Sequence, residues 1–161
     1  MMTPKAAEAF LQQTVEAVGT YLNADRCFLY IRQPAQERGR TAFQWRRNDA
    51  IPDTIQPHWQ PDTTDLPAED PLIRAGLAMQ PTVYVNDVET ASPEVLNQDF
   101  ERKTFGHRAL IHGHVQAEGQ LWGILQPCVF GQARQWSPSE RAYLEKQLPG
   151  LVEPIRVFVG E

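Results

Sequence analysis

Between residues 4 and 22, Leu11, Val15, Val18 and Leu22 follow one another at intervals of 4, 3 and 4. This repeat puts apolar side chains on one stripe of an α-helix. Asn23-Ala24-Asp25 ends the pattern, and RCFLYIR (26–32) is dense in aromatic and branched residues, which predicts a strand with Cys27, Leu29 and Ile31 on one face. After a polar turn, TAFQWRR (41–47) alternates Phe43 and Trp45 with polar neighbours, so the two runs form an antiparallel pair, each half-buried. The proline- and aspartate-rich stretch from Asn48 to Asp70 lacks periodicity and predicts a long surface loop. Loops of such length often carry binding function. Trp59 in this loop either anchors it to the domain or touches a ligand.

Three further helices are predicted where a capping side chain precedes proline at the first helical position: Asp70-Pro71, Ser92-Pro93 and Ser137-Pro138. The last adds Glu140 as a capping box. PTVYVNDV (81–88) reads as a strand between the first two. From Gly106 to Trp136 two strand-like runs flank Ala117-Glu118-Gly119-Gln120, a hairpin signal. Leu144, Leu148, Leu151, Ile155 and Phe158 then repeat the helical stripe, with Pro149 and Pro154 expected to kink or interrupt it. The fold class is α/β in the α+β sense. A central antiparallel sheet is expected to carry the terminal helices on one face and loops and short helices over a possible pocket on the other.

The length of 161 residues, with 42% hydrophobic residues, suits a single domain spanning 1–161. A net charge of −5, with lysines and arginines scattered, argues against nucleic acid or an anionic membrane as partner. The N-terminus has no secretory pattern, and no apolar run reaches the length of a membrane span. A cytoplasmic protein without membrane insertion is expected, and Met1-Met2 with the short C-terminal tail suggest a complete chain. Cys27 and Cys128 lie in apolar runs and read as reduced, buried thiols.

The string GHRALIHGHVQAEGQLWGILQPC and the junction ARQWSPSE (133–140) resemble the hairpin and the strand-to-helix turn of GAF domains, most of all those of phytochromes and cyanobacteriochromes. The resemblance covers essentially the whole chain and implies a sensory module rather than an enzyme. In bilin-binding relatives a Cys-His pair in the helix before the hairpin attaches the chromophore; gap-free counting places Asn97-Gln98 there. Neither side chain can form the thioether, which needs a nucleophilic sulfur. A further family histidine, six residues past the hairpin tryptophan, is replaced by Cys128. The cofactor is therefore left unknown, with covalent bilin disfavoured.

His112 and His114 alternate along a strand and share a face, at the positions where phytochromes resemble a Ser-x-Ser pair facing the chromophore propionate. Packing within the sheet, pocket lining and metal ligation all suit such a pair; His58, His107 and Cys128 are the only further ligands on offer, and no metal site is assigned. Arg108 could supply charge to an anionic ligand or form a surface ion pair. The candidate pocket comprises His112, His114, Arg108, Cys128, Trp59, Asn97 and Gln98. A tight turn at Glu118-Gly119 would pair His114 with Gly123 and send Cys128 to the opposite face; a bulge would bring both to the pocket. No phosphate loop, nucleophile elbow, CxxC or HExxH occurs, and two separated cysteines do not reproduce the set used by the GAF relative that reduces free methionine sulfoxide. The favoured reading is a stand-alone module acting through protein contacts, an adaptor or a homodimer, docking through Leu11, Val15, Val18, Leu144 and Leu148. The alternative is noncovalent binding of a tetrapyrrole or another small molecule.

Overall fold

Six strands, β1 (Arg26–Gln33), β2 (Arg38–Arg46), β3 (Gln60–Pro61), β4 (Val83–Val85), β5 (Ala109–Ala117) and β6 (Gln120–Val129), form one antiparallel sheet in the order β3-β2-β1-β6-β5-β4. The computed structural model describes residues 1–63 and 66–161. The helices are α1 (Pro4–Tyr21), α2 (Leu66–Glu69), α3 (Pro71–Leu77), α4 (Gln98–Thr104), α5 (Pro138–Gln147) and α6 (Val152–Val159).

Side-chain alternation divides the sheet into two buried faces. Cys27, Leu29, Ile31, Ile111, Val115, Leu125 and Val129 point to one side, where Leu11, Val15 and Val18 of α1, Leu144 of α5, and Ile155 of α6 complete the main core. The other side carries Arg26, Phe28, Tyr30, Leu110, His112, Ile124, Gln126 and Cys128, covered by α3, α4 and the loop after β2. Strand β1 is therefore buried nearly throughout, not half-buried as its sequence suggests.

The two apolar stripes are core. Leu11, Val15, Val18 and Leu144 have no exposed surface and Leu148 is 8% exposed. The expectation that these five residues form a docking surface is thereby corrected: a sheet with hydrophobic residues on this face needs their stripe to exclude water. Among the described residues no helix is long and apolar enough to cross a membrane.

Local capping follows the sequence at two of the three predicted sites. Asp70 Oδ1 accepts from the amides of Leu72 and Ile73, and Ser137 with Glu140 closes a capping box. Ser92-Pro93 opens only a turn, and the helix begins five residues later, where Asn97 Oδ1 accepts from the Phe100 amide. Pro149 stops α5 and starts a 3-10 turn, whereas Pro154 sits in the first turn of α6, where a missing N–H breaks no helical bond. Part of the predicted 48–70 loop is ordered as β3 and α2; Thr64 and Asp65 lie outside the described residues.

Glu118 and Gly119 both have positive φ, 54° and 75°, the type I′ geometry suited to a two-residue hairpin. Gln116 pairs with Leu121 but Val115 pairs with Gly123, so Trp122 is an extra residue in β6. This bulge shifts the register by one: His114 faces Ile124, and Leu110 faces Cys128. Both histidines and Cys128 thus share the face away from the terminal helices.

Replacing Leu11 by Ala should lower the unfolding free energy by about 2–5 kcal/mol, the usual loss for a fully enclosed leucine. Denaturant unfolding checks this; a loss under about 1 kcal/mol would contradict the placement of α1 in the core.

Candidate ligand site

On the face opposite the terminal helices, a cavity of about 540 Å³ lies between the sheet, the 53–63 loop, α3 and α4. Its floor includes Phe28 and Tyr30 of β1, Ile124 and Gln126 of β6, and His112 of β5. Asp70 and Ile73 come from the start of α3, and Phe100, Glu101 and Phe105 from α4 and its end.

Two buried arginines fix the walls, one by an ion pair and one by backbone carbonyls. Arg32 of β1 donates from Nη1 and Nη2 to the two carboxylate oxygens of Asp62, at 2.8 and 2.7 Å, clamping the loop to the sheet in bidentate geometry. Arg26 is wholly buried between the rings of Phe28 and Phe130, and donates from Nη1 to Pro52 O and from Nη2 to Phe105 O. One guanidinium therefore ties the loop to the end of α4.

Two buried acids, Asp70 and Glu101, line the cavity beside neutral polar side chains such as Thr41, Gln56 and Gln126. Glu101 is 1% exposed, and burial pushes its carboxyl up to about 8. Its Oε2 lies 2.7 Å from His107 Nε2. Burial, with the neighbouring Glu101 charge second, raises Asp70 to about 7, while its two cap hydrogen bonds act in the opposite direction. Gln126 is 3% exposed, and among the described residues its Nε2 has no hydrogen-bond partner.

The histidine pair has a defined proton arrangement. His114 Nδ1 lies 2.9 Å from Gln80 O, an acceptor only, so Nδ1 carries the hydrogen. Burial lowers His114 and drives His112 far down, aided by the other histidines, so both rings are neutral. His114 Nε2 is then the acceptor for His112 Nδ1 at 2.7 Å, and His112 Nε2 is left unprotonated. His112 reaches the cavity; His114 stands behind it, against Gly76 and Gln80.

Of the seven residues expected in the pocket, only His112 lines the cavity. Arg108 is bound by both carboxylate oxygens of Asp87 and by Glu89, and so is occupied by its own surface ion pairs. Trp59 lies under Arg38 and Arg40 and packs on the helix-side core, which makes it an anchor of the loop. Asn97 caps α4, and Gln98 Nε2 donates to Glu89 O; both border a separate hollow beside Pro71 and Pro93. Cys128 is buried with Phe28 and Leu110, while Cys27 belongs to the helix-side core. Among the described residues no group of three or more His, Cys, Asp or Glu is placed to hold a metal ion.

Sequence reasoning missed Glu101, Phe100, Phe105, Tyr30 and Gln126 as lining residues and identified Asp70 only as a cap. Gln126 left a signal, being a polar residue inside the apolar run LWGILQPCVF. Glu101 left none, since DFERK reads as a solvated helix surface.

The GAF domain family model matches residues 6–148, and the chain belongs to this family. No curated protein sequence matches the chain. Among solved structures, the photoproduct state of GAF3 from Slr1393 of Synechocystis sp. PCC6803 superimposes with a TM-score of 0.71 at 24% identity, covering 96% of this chain and 94% of that one. The blue-light-absorbing form of the PixJ GAF domain of Thermosynechococcus elongatus gives 0.72 at 14% identity, over 94% and 85% of the two chains. The GAF domain of a phosphoenolpyruvate-protein phosphotransferase from Coxiella burnetii gives 0.69 at 16% identity, over 92% and 82%.

A bilin does not fit the residues present. The cavity lining holds Asp53, Asp70 and Glu101 and neither lysine nor arginine, so two propionates would meet carboxyl groups instead of cations. Among the described residues no thiol lines the cavity.

Asp70→Asn keeps the helix cap while removing the titration. The wild-type carboxyl, raised in the folded state, contributes stability that is complete below about pH 4 and is lost as pH rises through about 7. The unfolding free energy of wild type should therefore fall relative to Asp70→Asn by on the order of 4 kcal/mol between pH 4 and 8, at about 1.4 kcal/mol per pH unit. Parallel stability curves for the two proteins would contradict the assignment.

Proposed function

We propose that this GAF domain is a sensory module that holds a small molecule noncovalently between the sheet and α3–α4. The observation that carries this reading is the cavity of about 540 Å³, a volume in the range of small-molecule sites, whose walls combine aromatic rings with the buried Gln126 Nε2, which has no partner among the described residues. A buried polar atom without a partner costs about 1–3 kcal/mol, which a ligand supplying the missing hydrogen bonds would recover. Both thiols lie away from the cavity and no activated nucleophile faces it, which favours sensing over covalent catalysis.

Action through protein contacts would have to use a surface other than the two apolar stripes, since those residues fill the core. The cavity therefore supports ligand binding more directly than docking.

Native mass spectrometry of the purified protein, before and after exposure to a metabolite extract, tests the reading. A bound small molecule at one per chain is expected, and Ile124→Trp, which fills the floor of the cavity, should abolish its retention while leaving the chain folded. A folded wild type that retains nothing under either condition would refute it.

A further inference from the structure

Gln126 and His112 stand side by side across β6 and β5 in the cavity floor, and the two have opposite hydrogen-bonding needs. Gln126 Nε2 is a buried donor without a partner among the described residues, and a native fold rarely leaves such a group unexplained. His112 is the reverse case. Gln80 O accepts from His114 Nδ1, His114 Nε2 accepts from His112 Nδ1, and the lone pair of the neutral ring therefore stays on His112 Nε2. Moving the hydrogen to His112 Nε2 would turn both rings to the other tautomer and set the lone pair of His114 Nδ1 against the Gln80 carbonyl. Around these two groups the lining holds no lysine or arginine, and Tyr30, Ile73 and Ile124 form an apolar cluster. Burial raises Asp70 to about 7 and Glu101 to about 8, so in mildly acidic solution both carry protons and add no charge.

We propose, on the ligand-binding reading above, that the cavity selects an uncharged ligand bearing the edge of a cyclic amide, its carbonyl oxygen accepting from Gln126 and its adjacent N–H donating to His112. In such a ring the donor and the acceptor lie next to each other on one edge, as their counterparts do on neighbouring strands. The Gln126 amide nitrogen is covered by surrounding atoms, and a turn about the last torsion of the side chain, a soft one, brings it to the carbonyl. His114 does not line the cavity and is a positioning residue: it holds His112 in the accepting tautomer. A carboxylate entering the cavity would lose its hydration and meet no cation, and an amidinium would first have to strip a proton from Asp70 or Glu101.

Calorimetric titration of the full chain at about pH 6, below both raised carboxyls, tests this with four flat probes of similar size. 2-Quinolinone carries the amide edge without charge, and its 1-methyl derivative keeps the carbonyl and loses the N–H. 2-Naphthamidine and 2-naphthoate add a charge of either sign. 2-Quinolinone should bind most tightly, about tenfold above its methyl derivative, the effect of one hydrogen bond whose acceptor is otherwise desolvated unpaired. Gln126→Leu should weaken both quinolinones by a similar factor, whereas His112→Phe should weaken 2-quinolinone alone and bring it to the level of the methyl derivative. Thermal unfolding checks that each variant folds. Equal or tighter binding of the methyl derivative or of either charged probe to wild type, a result that needs no variant, would overturn the proposal while leaving a ligand-binding cavity in place. Binding of none of the four to folded wild type would overturn it as well; the broader reading is then judged on the native mass measurement.

Discussion

Strand β6 has one residue more between its hairpin turn and Gly123 than strand β5 can match, and the extra residue, Trp122, is taken up as a bulge. Side chains alternate with a period of two, so a one-residue change in register exchanges every side chain between the two faces. With the bulge, Ile124, Gln126 and Cys128 align with His114, His112 and Leu110 on one face, while Leu125 joins Gly113 and Val115 on the other. Without it, Leu125 would pair on the histidine face and Gln126 would be driven among the leucines of the terminal helices. The cavity and the main core both depend on that single insertion.

Burial on both faces imposes a second demand. The helix side is filled by aliphatic and aromatic groups and the Cys27 thiol. The other side is roofed by short helices and a proline-rich loop that cannot supply a comparable apolar stripe, and charged residues do the fastening there. Arg26 uses its stem and planar head as packing material between two rings while its nitrogens satisfy two carbonyls. Arg32 performs the same task with Asp62. The space these clamps hold open is lined by groups that no longer have water to solvate them, which is why acids and histidines there remain largely neutral.

Much of the fold was legible because its signals are local. The spacing of Leu11, Val15 and Val18, the Glu118-Gly119 turn and the Ser137-Glu140 capping box each act within a few residues, and each appears in the structure. Ser92-Pro93 misled because a cap and a proline can open a turn as readily as a helix, and nothing after them offers an apolar face to pack. The site was far less legible. Asp70, Glu101 and Gln126 lie 25 or more residues apart in the sequence, and they become neighbours only through the order of strands and the crossing of α4. Residues singled out by family position, such as Asn97 and Arg108, serve a helix cap and a surface ion pair here.

The glycines opposite the cavity have a further bearing on how such a domain can change over generations. A side chain at Gly113 would strike Leu125 O at 2.8 Å and Leu148 at 3.2 Å; one at Gly123 would strike Tyr30 O at 2.7 Å and Ile155 at 3.0 Å. At these points the helices rest almost directly on the backbone of β5 and β6, leaving no room for variation. On the reverse of the same strands, His112, Ile124 and Gln126 border the cavity instead of a helix, so added bulk there meets space where a side chain at Gly113 or Gly123 meets backbone. The sheet thus has one face closed by direct backbone contact and one that leaves room beside it.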